Sequence, residues 1–406
     1  MKQYIKYVFI GISIILCFGM MKPVWGFYGH RWINRMAVFT LPSEMIGIFK
    51  EHIEFITEHA VDPDKRRYAT KHEAVRHYID IDHWGTYPFE NVPRKWGDAI
   101  AQNLKFQCVS ERGDTTLLFD AHDQYWGKKD LKENAEYQSI LQFTYKNVLP
   151  GYYDDPWVFE KDTITQYLPE AANWPCSQVL VNENFSEYGI IPYHLLVMQR
   201  RLTKAFEDKN LKSILRTATE MGHYIGDAHV PLHTTENYNG QLTGQEGIHA
   251  FWESRIPELF AEENYDFWVG QASYIDNPAE YFWEVVLKSH SYVEEVFRAE
   301  WELRSSFSAD QQLCFDERLG RTVLTQCKEF AAAYEASLQG MIEERMVATV
   351  SSLGDVWYTA WIDAGQPDLD QLKSNLALSE AEKAALEALE AEYKAGDAKG
   401  RKHEND

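Results

Sequence analysis

Between residues 223 and 253 the chain carries imidazoles and carboxylates at a spacing that repeats. The run His223-Tyr-Ile-Gly-Asp227-Ala-His229-Val-Pro-Leu-His233 sets an imidazole and a carboxylate four residues apart. On a helix that spacing places both on one face, within reach of one cation. Pro231 predicts an end or bend of this helix, so that His233 is delivered from a turn. Sixteen residues after His233 comes His249, and Glu253 follows four residues later. A single His-x-x-x-Asp pair is usually a surface ion pair or a cap. Two such pairs with a histidine between them, inside 31 residues, point to a metal site. Imidazole and carboxylate without thiolate suit zinc, with manganese or iron as alternatives.

Two further segments add candidates. One is Trp25-Gly-Phe-Tyr-Gly-His30. The other is Asp62-Pro-Asp64-Lys65, which precedes His77-Tyr-Ile-Asp80-Ile-Asp82-His83 by fifteen residues. Read alone, His30 also fits a core histidine, and Asp62 with Pro63 also fits a helix-ending turn. Together the segments resemble the superfamily joining bacterial zinc-dependent phospholipases C with fungal and plant single-strand-specific nucleases. The resemblance runs from Trp25 through Glu253, with a weaker helical match near Trp357 to Asp363. It is most specific in the His-x-x-x-Asp-x-x-x-x-x-His run with Pro-Leu before its last His, and in Trp followed closely by Gly-His.

What the resemblance implies is a mostly helical domain holding three zinc ions, with the mature N-terminus itself as a ligand. One zinc would take Asp62, His77, His223 and Asp227. A second would take His233, His249 and Glu253. The third would take His30, Asp227 and the amino nitrogen and carbonyl of Trp25, so that Asp227 bridges two metals. Asp64 competes with Asp62, and the fifteen-residue distance to His77 favours Asp62. The Trp25 ligand requires cleavage between Val24 and Trp25. The stretch from His77 to His223 is longer than the family norm.

The chemistry expected is phosphoester hydrolysis. Zinc lowers the pKa of bound water to about 7 and so provides hydroxide as nucleophile at neutral pH. Asp62 or Asp227 would orient the attacking water. There is no Gly-x-Ser-x-Gly elbow to supply a serine nucleophile instead. For substrate, the resemblance implies stacking by Tyr78 on a base and a hydrogen bond from that base to Asp80, with Lys65 meeting a phosphate; simple packing is the other reading of Tyr78. The short gap from His233 to His249, and Glu253 in place of Asp, lean toward a phospholipase C. A single-strand-specific nuclease or 3'-nucleotidase is the alternative. The expected partner is therefore phospholipid or single-stranded nucleic acid, with no stable protein partner. A non-catalytic, metal-stabilised binding protein is a reading of a different class, since only a catalytic site keeps an open coordination position.

The elements that must position these residues read as helices, and the expected fold class is all-α. Apolar residues recur at Met45, Phe49, Ile53 and Ile56, with Pro42 suited to a first helical turn. Phe282, Val286, Val293 and Phe297 mark another helix. Ile342, Met346, Leu353 and Trp357 mark one more, which should stop near Gly365 and Pro367. Residues 84–189 are rich in aromatics, Pro and Gly, and read as an insertion of loops and short helices; Ser177 to Val181 is its best strand candidate. Residues 25–368 then form the phosphodiesterase domain. In the 369–406 tail, Ser379 to Tyr393 reads as a surface helix and the end as disordered.

A net charge of −22 gives no global footprint for gripping duplex nucleic acid. It leaves a nuclease open, because bound cations reverse the local sign. Lys2, Lys6 and an apolar run from Tyr7 to Met21 read as an export signal over residues 1–24, with an uncleaved anchor as the alternative. Cys108, Cys176, Cys314 and Cys327 show no CxxC spacing, which argues against a thiolate zinc site. In an oxidising compartment they would form one or two disulfides; four buried thiols are the other reading.

Overall fold

The computed structural model describes residues 28–110, 112–154, 156–318, 321–372 and 380–395. The export signal, Trp25 and the end of the tail from residue 396 lie outside the described residues.

The apolar periodicities become helices with buried stripes. Met45, Phe49 and Ile56 are fully buried, on helices Ser43–Glu51 and Ile53–Glu58. Pro42 stands one position earlier than expected, as the N-cap. The stripe from Phe282 to Phe297 is split over two helices, Pro278–His290 and Val293–Arg304. Helix Met341–Asp363 ends as its composition predicts. Gly365 takes a left-handed φ of 79°, its N–H donates to Ile362, and the Gln366 N–H reaches back to Trp361. That pair of bonds is a Schellman close. Helix Glu380–Ala395 matches the expected surface helix within a few residues.

Four helices build the frame of the site. They are α1 (Tyr28–Ala37), α2 (Ile191–Glu207), α3 (Leu211–His229) and α4 (Met341–Asp363). Helix α3 packs against each of the other three. Its C-terminal part, from Met221 through His229, is buried on every side. A helix apolar on one face alone would leave the other to solvent; here polar groups are buried as well, and they need partners.

The all-α expectation is overturned. The described residues include a four-stranded antiparallel sheet of order β2-β1-β4-β3 and a two-stranded hairpin, so the fold is helical with two small sheets. The sheet lies inside the 84–189 insertion: β1 (Leu104–Val109), β2 (Thr115–Asp120), β3 (Trp157–Glu160) and β4 (Gln178–Glu183). Only the Ser177 to Val181 segment was read as a strand, and it is β4. β1 does alternate, with Leu104, Phe106 and Cys108 buried and the residues between them less so. β2 lies at an edge and loses the alternation, and β3 has four residues, too few for a period to show. The insertion buries its own core, including Phe106, Phe143, Trp157 and Val181, apart from the core of the helical body. The hairpin pairs β5 (Leu313–Arg318) with β6 (Arg321–Gln326).

All four cysteines are paired, in the two disulfides that were the upper expectation, with a pairing the sequence left open. Cys108–Cys176 ties β1 to the segment before β4, and Cys314–Cys327 closes the hairpin. Such bonds persist in oxidising compartments. Among the described residues no helix is long and apolar enough to cross a membrane.

Candidate metal centre

Helix α3 brings His223 and Asp227 to one buried face, as the four-residue spacing requires. His233 follows from a short 3-10 turn at Pro231–Thr234, as Pro231 predicted. His249 and Glu253 sit on the continuous turn that begins at Ile248, with a π-helical stretch over Phe251–Arg255. His30 comes from α1. Gly226 permits its approach, because a Cβ there would stand 2.8 Å from His30 Nδ1. The His30 ring stacks on His223 with centroids 4.0 Å apart.

These side chains form overlapping donor groups. In the first, His77 Nδ1 lies 2.9 Å from Asp227 Oδ2 and 3.1 Å from His223 Nε2. Asp64 Oδ1 is 3.6 Å from His223 Nε2 and 3.8 Å from His77 Nδ1. In the second, His30 Nε2 lies 3.4 Å from Asp227 Oδ1 and 3.2 Å from Glu253 Oε1. In the third, Glu253 Oε2 is 2.8 Å from His249 Nε2 and 3.4 Å from His233 Nε2. Asp227 therefore shows one oxygen to each of two groups, and Glu253 does the same. The structure thus joins His30, His77, His223, Asp227, His233, His249 and Glu253 in one place.

Rings are oriented from behind. His223 Nδ1–H donates to the Ala60 carbonyl at 3.0 Å, and His249 Nδ1–H to the Tyr238 carbonyl at 3.2 Å. Each bond fixes the tautomer that leaves Nε2 unprotonated and facing the centre. The His233 turn is held to the His77 segment: Ile79 N–H donates to the His233 carbonyl, and Glu236 N–H to Asp82.

Three carboxylates crowd this space, Asp227 buried and Asp64 and Glu253 half-buried. Burial, then Glu253 and Asp64, push Asp227 well above the carboxylate range. Burial also works against the charge on Asp64 and Glu253. The His223 and Arg67 side chains nevertheless hold Asp64 low, and the His233, His249 and His30 rings hold Glu253 low. Burial, with neighbouring imidazoles, keeps His77 and His223 below the ordinary histidine value and so neutral. Neutral imidazoles around ionised carboxylates are the donor set a divalent cation takes, and a cation there would remove the repulsion that raises Asp227.

Several expected assignments are corrected. Asp64, not Asp62, joins the centre. The two are separated by about 200° around helix Asp62–Arg66, so one must face away when the other faces in. Asp62 instead accepts from His59 Nδ1 at 2.6 Å and from Lys65 at 3.4 Å, which carries Lys65 away from the centre too. Tyr78 is buried, with its hydroxyl donating to the Glu187 carbonyl, so its ring offers no face for stacking. Asp80 is buried and belongs to none of the donor groups; its N–H donates to the Tyr188 carbonyl. Glu73 was missed, although the spacing Glu73-x-x-x-His77 repeats the signal that found the other pairs.

The described geometry amounts to several buried His, Asp and Glu groups able to hold metal ions. No protein-family model matches the chain, and no curated protein matches it.

Proposed function

We propose that this chain is an exported, zinc-dependent phosphoester hydrolase of the phospholipase C type, holding three zinc ions per molecule. The observation that carries the reading is the packing of Asp64, His77, His223 and Asp227. Ligands about 2.0–2.1 Å from a tetrahedral zinc lie about 3.3–3.4 Å from one another. The separations of His77 and His223 from each other and from Asp64 and Asp227 run from 2.9 to 3.8 Å around that value. The all-N/O donor set and the resemblance to zinc-dependent phospholipases C support zinc over other metals. The two disulfides support an exported protein.

Zinc bound here would supply Lewis acidity toward a phosphoryl oxygen and lower the pKa of bound water. The protein's part is positional. Asp227 and Glu253 each present two oxygens to neighbouring groups, and would hold cations in those groups side by side. His233 and His249 come from separate turns, so their side of the centre is shaped by the loop between them. Asp227, fixed between the first two groups, is the carboxylate placed to orient a water. With Asp62 turned away, that role falls to Asp227 alone or shared with Asp64.

A single-strand-specific nuclease is the second reading. The observation favouring it is the His83 ring stacked on Tyr188 at 3.5 Å and hydrogen-bonded to Glu236, three residues past His233. This pair, with His83 exposed and Tyr188 half-buried, offers the face that Tyr78 lacks.

Metal analysis of the purified protein should find two to three zinc ions per chain. An assay panel of phosphatidylcholine, single-stranded DNA, RNA and a generic phosphodiester should show chelator-sensitive hydrolysis of at least one. Lipid cleavage alone supports the first reading. Nucleic-acid cleavage alone, weakened by Tyr188→Ala, supports the second. A metal-free protein whose His223→Ala variant behaves like wild type sinks both.

A further inference from the structure

The far side of the His77 ring carries an inference of its own. His77 turns Nδ1 to the centre, where Asp227 Oδ2 and His223 Nε2 lie 2.9 and 3.1 Å away. A nitrogen that ligates a metal is unprotonated, so the ring proton must sit on Nε2. That nitrogen is buried and has no hydrogen-bond partner. The polar atom it faces is Glu73 Oε1, at 4.0 Å. Glu73 is itself buried, its side chain 2 % exposed. A buried N–H left unpaired forfeits the hydrogen bond that water would give it. A shift of about 1 Å would convert this approach into a charge-assisted hydrogen bond.

Glu73 is held where such a bond needs it. Oε1 accepts from the Tyr224 hydroxyl, and Tyr224 is the neighbour of His223 on α3. Oε2 accepts from Arg76 Nη1 at 2.7 Å, with Arg66 Nε at 3.5 Å. Arg76 is anchored in turn by the Tyr153 hydroxyl of the insertion, at 3.0 Å. Two guanidiniums thus flank the buried carboxylate on its outer side. An ionised carboxylate on the outer nitrogen of a ligating histidine fixes the ring and raises its basicity.

We infer that Glu73 is a positioning residue for the metal centre, acting through His77. It completes a carboxylate–histidine–metal relay whose outer end is tied to the insertion through Arg76 and Tyr153. The inference rests on the metal-centre reading, and its test separates the two. The competing account is that Glu73 serves only as counter-ion to Arg66 and Arg76.

The experiment compares zinc affinity, by competition with a chromogenic chelator, for wild type and Glu73→Gln. Glu73→Gln should bind its zinc about 10–100-fold more weakly, while its chelated form keeps the wild-type near-ultraviolet dichroism. Tyr153→Phe should shift affinity in the same direction by less. A direct readout comes from ring-nitrogen NMR of zinc-loaded wild type. The His77 proton should lie on Nε2 and exchange slowly, and Glu73→Gln should move that signal upfield. Unchanged affinity and an unmoved signal in a folded Glu73→Gln overturn the inference. Should that variant fail to fold, a His77 proton on Nδ1 in zinc-loaded wild type overturns it instead. Wild type that binds no zinc defeats the underlying reading.

Discussion

At the scale of single residues, the two aspartates flanking Pro63 make the sharpest test. Asp64 touches the centre and Asp62 does not. Asp64→Asn should lower zinc content by about one ion and cut hydrolysis by a factor on the order of 100, the size expected when a metal ligand or close electrostatic partner is lost. Asp62→Asn should leave zinc content unchanged; metal analysis of both variants decides. The sequence placed both residues in the right segment but could not choose between them, because fifteen residues of separation say nothing about which face of a five-residue helix turns inward. The i, i+4 pairs were legible because the helix itself enforces their geometry. Tyr78 was misread for the opposite reason: adjacency in the chain to His77 does not give adjacency to the cleft.

His194 offers a residue-scale test of pH dependence away from the ligands. Burial, then the charges of Arg76 and Arg201, hold it well below the ordinary histidine value. In the unfolded chain it takes up a proton as pH falls through about 6.5, while the folded chain resists. The stability this neutrality contributes is complete above that pH and is lost as pH falls toward the depressed folded value, by at most about 1.4 kcal/mol per pH unit. Between about pH 7 and about pH 5, urea denaturation should show wild type losing up to about 2 kcal/mol more than His194→Gln. Equal losses would mean that the imidazole is not kept neutral.

At the scale of elements, the helices were legible and the sheet was not. Helix Met341–Asp363 announced both its stripe and its stop, since Gly365 and Pro367 have stop chemistry of their own. β2 and β3 announced nothing, because edge exposure and short length erase a period of two. The pairing of Cys108 with Cys176 was equally hidden, as it depends on β1 and β4 lying side by side. That bond closes a loop of 68 residues, so its loss should destabilise the insertion by roughly 4 kcal/mol. Paired Cys108→Ser and Cys176→Ser replacements should expose residues 104–183 to protease first, as mass spectrometry of early fragments would show.

At the scale of the molecule, the donor groups draw on residues from His30 to Glu253, spread over much of the helical body. Metal held by such distant parts of the chain binds the folded state and not the unfolded one. Each site filled at about 1,000 times its dissociation constant adds about 4 kcal/mol. Chelation should therefore lower the melting temperature of the whole helical body by several degrees, a shift calorimetry resolves, with re-addition of zinc restoring it. A melting temperature indifferent to chelator would place no metal in the fold. The general acidity of the chain works in the same direction, since a centre that gathers cations relieves some of its self-repulsion.

Asp227 gives one oxygen to His77 and His223 and the other to His30 and His233. A carboxylate has one negative charge to divide, so whatever one neighbour withdraws the other goes without. Were ions to arrive on its two sides, they would not be independent lodgers: the first to settle would make the shared carboxylate a poorer host for the second, while locking it in the pose the second requires. The centre is in this sense a ledger with a single line for two accounts, and the order of filling becomes a property of the site in its own right.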